Sequence, residues 1–283
     1  MLNKDQLTHF ISTALQEDIG DGDHSSLCCI AADSKGKAVL KIKQGCIVAG
    51  IEVAKAIFTW VEPDTIFHAY KTDGSLVHSG EIAFEVEASA RVILQCERLV
   101  LNCMQRMSGI ATLTHQYVQK LQSYSTKLLD TRKTTPNFRL LEKEAVRIGG
   151  GMNHRFGLFD MIMLKDNHID YCGSIEKAIE LAHQYVQQVK PGMKIEVETR
   201  TIEDVKRVMA IGKVDRIMLD NFTPAQITEA LAVIQGKYET EASGGIHFDN
   251  LETYAATGVT YISSGAIIHQ ATSVDLSLKA VLS

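Results

Sequence analysis

From about residue 127 onward the chain alternates between short apolar runs and helical stretches, and this rhythm constrains the fold more than any other feature. The runs lie near 127–130, 161–165, 194–198, 216–220, 238–242 and 260–263. Helical segments separate most of them; 174–188, for example, carries Ile175, Ala178, Ile179, Ala182 and Val186 on one face. Strand and helix in regular alternation predict a parallel sheet with right-handed crossovers. Six clear strands leave three forms open: a closed eight-stranded barrel, an incomplete barrel or an open doubly wound sheet. The gap over 131–160 is long enough for a functional insertion.

The first third has a different texture. Leu7, Phe10, Ile11, Ala14 and Leu15 fall at helical spacing, so residues 5–17 are expected to form an amphipathic helix. Residues 37–43 and 81–88 alternate as half-buried strands do, with Ile82, Phe84 and Val86 on one face. A long helical stretch follows from about Ala90 to Leu121, and Ser108-Gly109 is expected to break it.

Composition narrows the function classes. Of 283 residues, 45% are hydrophobic and 22% charged, the balance of an ordinary globular protein. A net charge of −5 argues against a duplex-binding surface, so no nucleic-acid partner is expected. The start is polar and no run of about 18 apolar residues occurs, so neither a secretory signal nor a membrane span is expected. Cys28, Cys29, Cys46, Cys96, Cys103 and Cys172 have no zinc-ligand spacing; they are expected as reduced, mostly buried thiols of a cytoplasmic protein. Within this acidic chain, Arg132, Lys133, Arg139, Lys143, Arg147, Arg155 and Lys165 form a local basic cluster with His154 among them. Such a cluster fits a site for a small anion. Lys143 and Arg147, spaced i, i+4, are instead expected on a solvated helix face.

The residues that end the apolar runs favour the barrel, because chemistry in βα barrels gathers in the loops after the strands. The first run ends in Asp130-Thr131-Arg132-Lys133, the second in Lys165-Asp166-Asn167-His168, the third in Glu198 and the fourth in Asp220-Asn221. The fifth closes with Glu241-Ala242-Ser243-Gly244-Gly245 and the sixth with Ser263-Ser264-Gly265. Arg132, Lys133, Arg155 and Lys165 are cationic donors, and an arginine fork fits a carboxylate or phosphate bidentately. Glu198 and Asp220 offer hard oxygens of the kind Mg²⁺ takes together with substrate phosphates. The glycines let backbone N–H groups approach a phosphate. Together these describe a site for a phosphorylated sugar and an anionic partner. Lys165 also admits a Schiff-base reading, which the surrounding phosphate clamps and carboxylates disfavour.

In order along nearly the whole chain, the motifs resemble the quinolinate phosphoribosyltransferase family (nicotinate-nucleotide pyrophosphorylase, carboxylating). The resemblance is carried by Asp130-Thr-Arg-Lys-Thr-Thr-Pro136, Arg139-Leu-Leu-Glu-Lys143, Gly149-Gly-Gly-Met-Asn-His-Arg155 and Leu164-Lys-Asp-Asn-His168. Glu17 to Asp23, Glu97-Arg98, Ser108 to Thr112, Glu196-Val-Glu198, Leu219-Asp-Asn221, Glu241 to Ile246 and Gly265-Ala266 with His269 extend it. It implies an α/β fold: an N-terminal α/β sandwich domain plus an incomplete (seven-stranded) α/β barrel. We place the first at 1–112, with the tail 270–283 packing back on it, and the barrel at 113–269. The implied activity is phosphoribosyl transfer from phosphoribosyl pyrophosphate to quinolinate with decarboxylation, using Mg²⁺. It also implies a homodimer, or a hexamer built as a trimer of dimers, with active sites shared between subunits.

By motif, Arg132, Lys133, His154, Arg155 and Lys165 are similar to the family's quinolinate-binding group, and Arg98 to the arginine lent across the dimer. Glu198 and Asp220 match the acidic pair near the ribose and metal; with Lys133 and Lys165 they form the expected catalytic set. Ser243, Gly244, Gly245, Gly265 and His269 complete the expected substrate-binding residues. Asn137 stands where the family commonly has Gly, and asparagine tolerates left-handed backbone. Ile267-Ile268 replaces a commoner Leu-Thr. No general base is required by the implied chemistry, which suits a site that reads as poor in His–carboxylate pairs.

Overall fold

The computed structural model describes residues 3–281 and divides the chain into two compact units. The first comprises residues 1–115, 134–150 and 267–283; the second comprises 116–133 and 151–266. The division therefore assigns 134–150, inside the expected barrel, to the first unit.

The first unit begins with α1 (Lys4–Ile19) and α2 (His24–Cys29), followed by β1 (Lys35–Ile42) and β2 (Cys46–Ile47). Then come α3 (Ile51–Val61), β3 (Ile66–Ala69), β4 (Leu76–Val77), β5 (Ile82–Ser89) and the long helix α4 (Ala90–Lys120). Helix α1 starts where the Asn3 side chain accepts the Gln6 N–H at 3.0 Å, and it buries Ile11 and Leu15 as the spacing predicts. The two sequence-predicted strands pair antiparallel as β1 and β5, and β12 (Leu276–Ala280) adds to the other edge of β1.

Helix α4 is continuous through Ser108-Gly109, which corrects the expected break. The reason lies in what these residues touch. Ser108 Oγ donates to the Ala49 carbonyl and accepts the Ala49 N–H at 2.9 Å. One turn on, Thr112 Oγ1 accepts the Ile47 N–H at 2.9 Å. Gly109 costs a helix interior about 1 kcal/mol relative to alanine. Here it is required, because a Cβ would run into the Thr272 carbonyl.

Helix α5 (Arg139–Ile148) corrects a second expectation. Arg147 is exposed and pairs with Glu144, but Lys143 is only 1% exposed and belongs to the buried face. Before it, Asn137 has φ 61°, a left-handed backbone that asparagine tolerates. The thiols are also less uniformly buried than expected: Cys46, Cys96 and Cys103 are buried, while Cys28 and Cys29 are exposed.

In the second unit all six expected strands form: β6 (Lys127–Leu129), β7 (Ile162–Leu164), β8 (Ile195–Thr199), β9 (Arg216–Asp220), β10 (Glu239–Ser243) and β11 (Tyr261–Ser263). Helices α6 (Asp166–Cys172), α7 (Ile175–Gln188), α8 (Ile202–Ile211), α9 (Pro224–Ile234) and α10 (Leu251–Ala255) connect them. Every sheet neighbour is parallel, in the order β6-β11-β10-β9-β8-β7. The first and last strands are thus adjacent, which is how a barrel closes and how an open doubly wound sheet does not. An isolated parallel bridge sets Met152 on the free side of β6, a one-residue counterpart of a seventh strand. Among the described residues nothing pairs with the outer edge of β7, so the barrel is incomplete.

Strand side chains alternate between faces, and that sorts this barrel into two populations. Val197, Ile217, Leu219, Ala242 and Ile262 are fully buried, like Ile179 of α7, Val205 of α8 and Ile227 of α9. The intervening positions, among them Glu196, Glu198, Met218, Asp220, Glu241 and Ser243, form the other face.

Candidate active site

That second face opens into a cavity of about 600 Å³ within the second unit. Its lining comes in pairs two residues apart: Met163 and Lys165, Met218 and Asp220, Glu241 and Ser243. The first of each pair is the cavity floor, and the second lies one pleat nearer the C-terminal mouth. Glu196 stands in the same relation to Glu198, one pleat deeper.

Arg132, Lys133, Arg155 and Lys165 all line this cavity. Arg155 Nη1 donates to the Met161 carbonyl at 3.1 Å. Burial holds the Arg155 guanidinium below its ordinary range, and the charge of Arg132 adds to that. A partly buried cation lowered by a like charge beside it favours an anion. Lys165 Nζ lies 3.7 Å from Glu198 Oε2 and is half exposed, so it is not the desolvated amine a Schiff base needs.

Glu198 and Asp220 line the cavity at the ends of β8 and β9. Burial raises the Glu198 carboxyl, the Asp220 charge raises it further, and Lys165 opposes both. Two carboxylates at neighbouring strand ends, with open space beside them, fit a divalent cation bound with phosphate oxygens. The Asp220 side chain is held by Asn221 Nδ2 at 2.6 Å.

The loop after β10 owes its shape to two glycines. Gly244 and Gly245 have φ 94° and 62°, and a Cβ on Gly244 would run into the Asn221 side chain. Asn221 N–H in turn donates to the Ser243 carbonyl at 2.8 Å, locking the β9 and β10 ends together. Backbone this close to the cavity presents N–H groups rather than side chains.

Not every expected site residue lines the cavity. Gly265 follows β11 just beyond the lining residue Ser263. Arg98 and His269 are exposed residues of the first unit, Arg98 on α4 and His269 at the end of α11 (Ala266–His269). Among the described residues Arg98 forms no ion pair with Glu97, and Glu142 is engaged with Arg106 at 2.9 Å.

The expectation that the site lacks His–carboxylate pairs is overturned. His154 Nε2 lies 2.9 Å from Glu196 Oε2 and 3.3 Å from Glu241 Oε2, with all three residues buried. Burial lowers the His154 ring, but Glu196 and Glu241 outweigh it and leave it raised to about 9. The geometry resists that pull: Nδ1 accepts the Arg155 N–H at 2.6 Å, and an imidazolium has no nitrogen left to accept. The contacts describe a neutral ring with its proton on Nε2. Burial and the charge of Glu241 push the Glu196 carboxyl up to about 7. Glu196, Glu241 and Asp130, whose Oδ1 accepts the His154 N–H at 2.8 Å, went unassigned in the sequence. The available signal was period two: Glu196 precedes Glu198, and Glu241 precedes Ser243, by one full pleat.

Comparison with known proteins adds three kinds of likeness. The model of the quinolinate phosphoribosyl transferase N-terminal domain matches residues 23–108, and that of the C-terminal domain matches 110–279. A chloroplastic nicotinate-nucleotide pyrophosphorylase [carboxylating] of Oryza sativa subsp. japonica is 43% identical over 95% of this chain and 76% of its own length. A probable nicotinate-nucleotide pyrophosphorylase [carboxylating] of Bacillus subtilis is 41% identical over 100% of this chain and 96% of its own. The crystal structure of NadC from Streptococcus pyogenes superposes with a TM-score of 0.91 at 39% identity, covering 100% of this chain and 99% of that one.

Proposed function

The chain belongs to the quinolinate phosphoribosyltransferase family, and on that premise we propose the reaction its cavity carries out. It transfers the phosphoribosyl group of phosphoribosyl pyrophosphate to quinolinate, with decarboxylation, giving nicotinate mononucleotide, pyrophosphate and CO₂ for NAD biosynthesis. The observation that carries this reading is one cavity lined by four cations, two strand-end carboxylates and a glycine loop.

Quinolinate has two carboxylates and must face the ribose with its ring nitrogen. Arg132, Lys133, Arg155 and Lys165 hold the dianion in that orientation, which removes translational freedom before the chemistry. Ser243, Gly244, Gly245 and Gly265 receive the ribose phosphate. As the bond from C1 to pyrophosphate lengthens, positive charge grows on the sugar, and Glu198 and Asp220 stabilise it electrostatically. Glu198 and Asp220 would also hold Mg²⁺, which would supply positive charge to the departing pyrophosphate. Alkylation makes the ring nitrogen an electron sink; the adjacent carboxylate leaves as CO₂ and a proton takes its place.

We further assign the working form as a homodimer, or a trimer of such dimers, in which Arg98 serves the partner's cavity; His269 is assigned to substrate binding. The exposure of Arg98, and the absence among the described residues of an ion pair with Glu97 or Glu142, support this role for Arg98. Cytoplasmic action is the compartment we propose. Six free thiols suit a reducing environment, and no described helix is long and apolar enough to cross a membrane.

Substrate choice tests the reading. A monocarboxylate would leave part of the cation wall unmatched, and buried Arg155 is the member for which that costs most. Turnover of quinolinate with little or none of nicotinate is expected in steady-state assays. Comparable kcat/KM for the two acids would exclude the cation wall as a dicarboxylate clamp.

A further inference from the structure

The segment carrying His154 and Arg155 has no regular backbone to hold it. Residues 153–161 belong to no helix and no strand, and the single bridge at Met152 ends the pairing before them. A segment of this kind is placed by side chains, and those that hold it come from the strands. Asp130, at the end of β6, takes the His154 N–H. Glu196 of β8 and Glu241 of β10 bring carboxylate oxygens to 2.9 and 3.3 Å from the ring at Nε2. The same ring receives the Arg155 N–H at Nδ1, so its orientation sets the peptide from which Arg155 departs.

The two carboxylates are themselves fixed. In register, Arg216 faces Glu196 across β8 and β9 and faces Glu239 across β9 and β10. Its Nη1 lies 3.1 Å from Glu241 Oε2 and 4.0 Å from Glu196 Oε2, and its guanidinium stacks 4.2 Å from the Tyr261 ring centroid. This decides between two uses of the cluster. The ligand atoms of His154, Glu196 and Glu241 lie within 4.8 Å of one another, as a metal site requires. Arg216 already supplies positive charge at those oxygens, and His154 Nε2 stands at ion-pair distance, 2.9 Å, from Glu196 Oε2. The cluster is a side-chain network.

Resting on the quinolinate reading of the cavity, we propose that Glu196 and Glu241 are positioning residues: acting through His154, they fix the 154–155 peptide and aim the Arg155 guanidinium at a substrate carboxylate. Carboxylates behind a histidine commonly set its tautomer and orientation, and losing such a partner typically costs about 10–100-fold in affinity at metal sites. The same leverage here falls on quinolinate capture, because Arg155 is the residue whose peptide the ring holds.

The test compares Glu196→Gln and Glu241→Gln with Arg155→Ala and with the corresponding double variants. Quinolinate KM, phosphoribosyl pyrophosphate KM, kcat and melting temperature are measured for each. Each glutamine variant is expected to raise quinolinate KM by about tenfold while the other KM stays nearly constant, and to add little once Arg155 is already alanine. Asp130→Asn, which loosens the same segment from the β6 side without touching Arg216, gives the same signature and stands in if a glutamine variant fails to fold. Effects that add fully to Arg155→Ala, equal rises in both KM values, or unchanged quinolinate KM in the folded variants would overturn the proposal. Failure of the unmodified protein to turn over quinolinate would instead remove the functional reading beneath it.

Discussion

At the scale of single residues, charge placement governs the account. Glu198 and Asp220 end neighbouring strands, and the burial that raises Glu198 is deepened by the Asp220 charge. Groups that act on charge that develops during reaction contribute mainly in the transition state. Glu198→Ala or Asp220→Ala is therefore expected to lower kcat by roughly 10²–10³ and to leave quinolinate affinity nearly unchanged. Equilibrium binding beside steady-state kinetics checks this; lost binding with preserved kcat would reverse the roles. Arg132, Lys133, Lys165 and these two acids were legible in the sequence because each closes an apolar run and so falls at a strand end, whereas Arg155 was marked by motif. Glu196, Glu241 and Asp130 were not, because an acidic residue within or closing a strand carries no mark of the partner it meets. Lys143 misled for the converse reason: helical spacing places it on a face without telling what covers that face.

At the scale of elements, hydrophobic period located nearly everything and local propensity misplaced one feature. All six parallel strands appear where apolar runs predict them, since buried parallel strands need little beyond a continuous apolar stretch. The failure was α4, where a glycine after a serine reads as a break but is a docking point for the chain at Thr272. Gly109→Ala separates the two ideas by sign. Helix propensity alone would stabilise the protein by about 1 kcal/mol. The clash with the Thr272 carbonyl predicts destabilisation by roughly 1–3 kcal/mol, the usual cost of overpacking. Denaturant unfolding of the variant reads the difference directly, and a gain in stability would contradict the docking role.

At the scale of the whole molecule, the sheet order closes the seam that apolar rhythm left ambiguous, since β6 meets β11. Which residues another copy contributes is not written in the rhythm of one chain; Arg98 was marked only by motif. If it serves the partner's cavity, co-refolding Arg98→Ala with Arg155→Ala must rebuild intact sites in mixed dimers. Activity should then rise toward about a quarter of the unmodified level, for independent sites and random pairing. No recovery in confirmed mixed oligomers would place Arg98 within its own chain's site. The central claim, transfer coupled to decarboxylation, is tested most directly by isotope. Quinolinate labelled in the carboxylate beside the ring nitrogen is incubated with the protein, phosphoribosyl pyrophosphate and Mg²⁺, and CO₂ and pyrophosphate are followed together. The account predicts labelled CO₂ equal to pyrophosphate and to nicotinate mononucleotide, and none when phosphoribosyl pyrophosphate is omitted. Pyrophosphate released without labelled CO₂, or CO₂ released without the sugar donor, would contradict it.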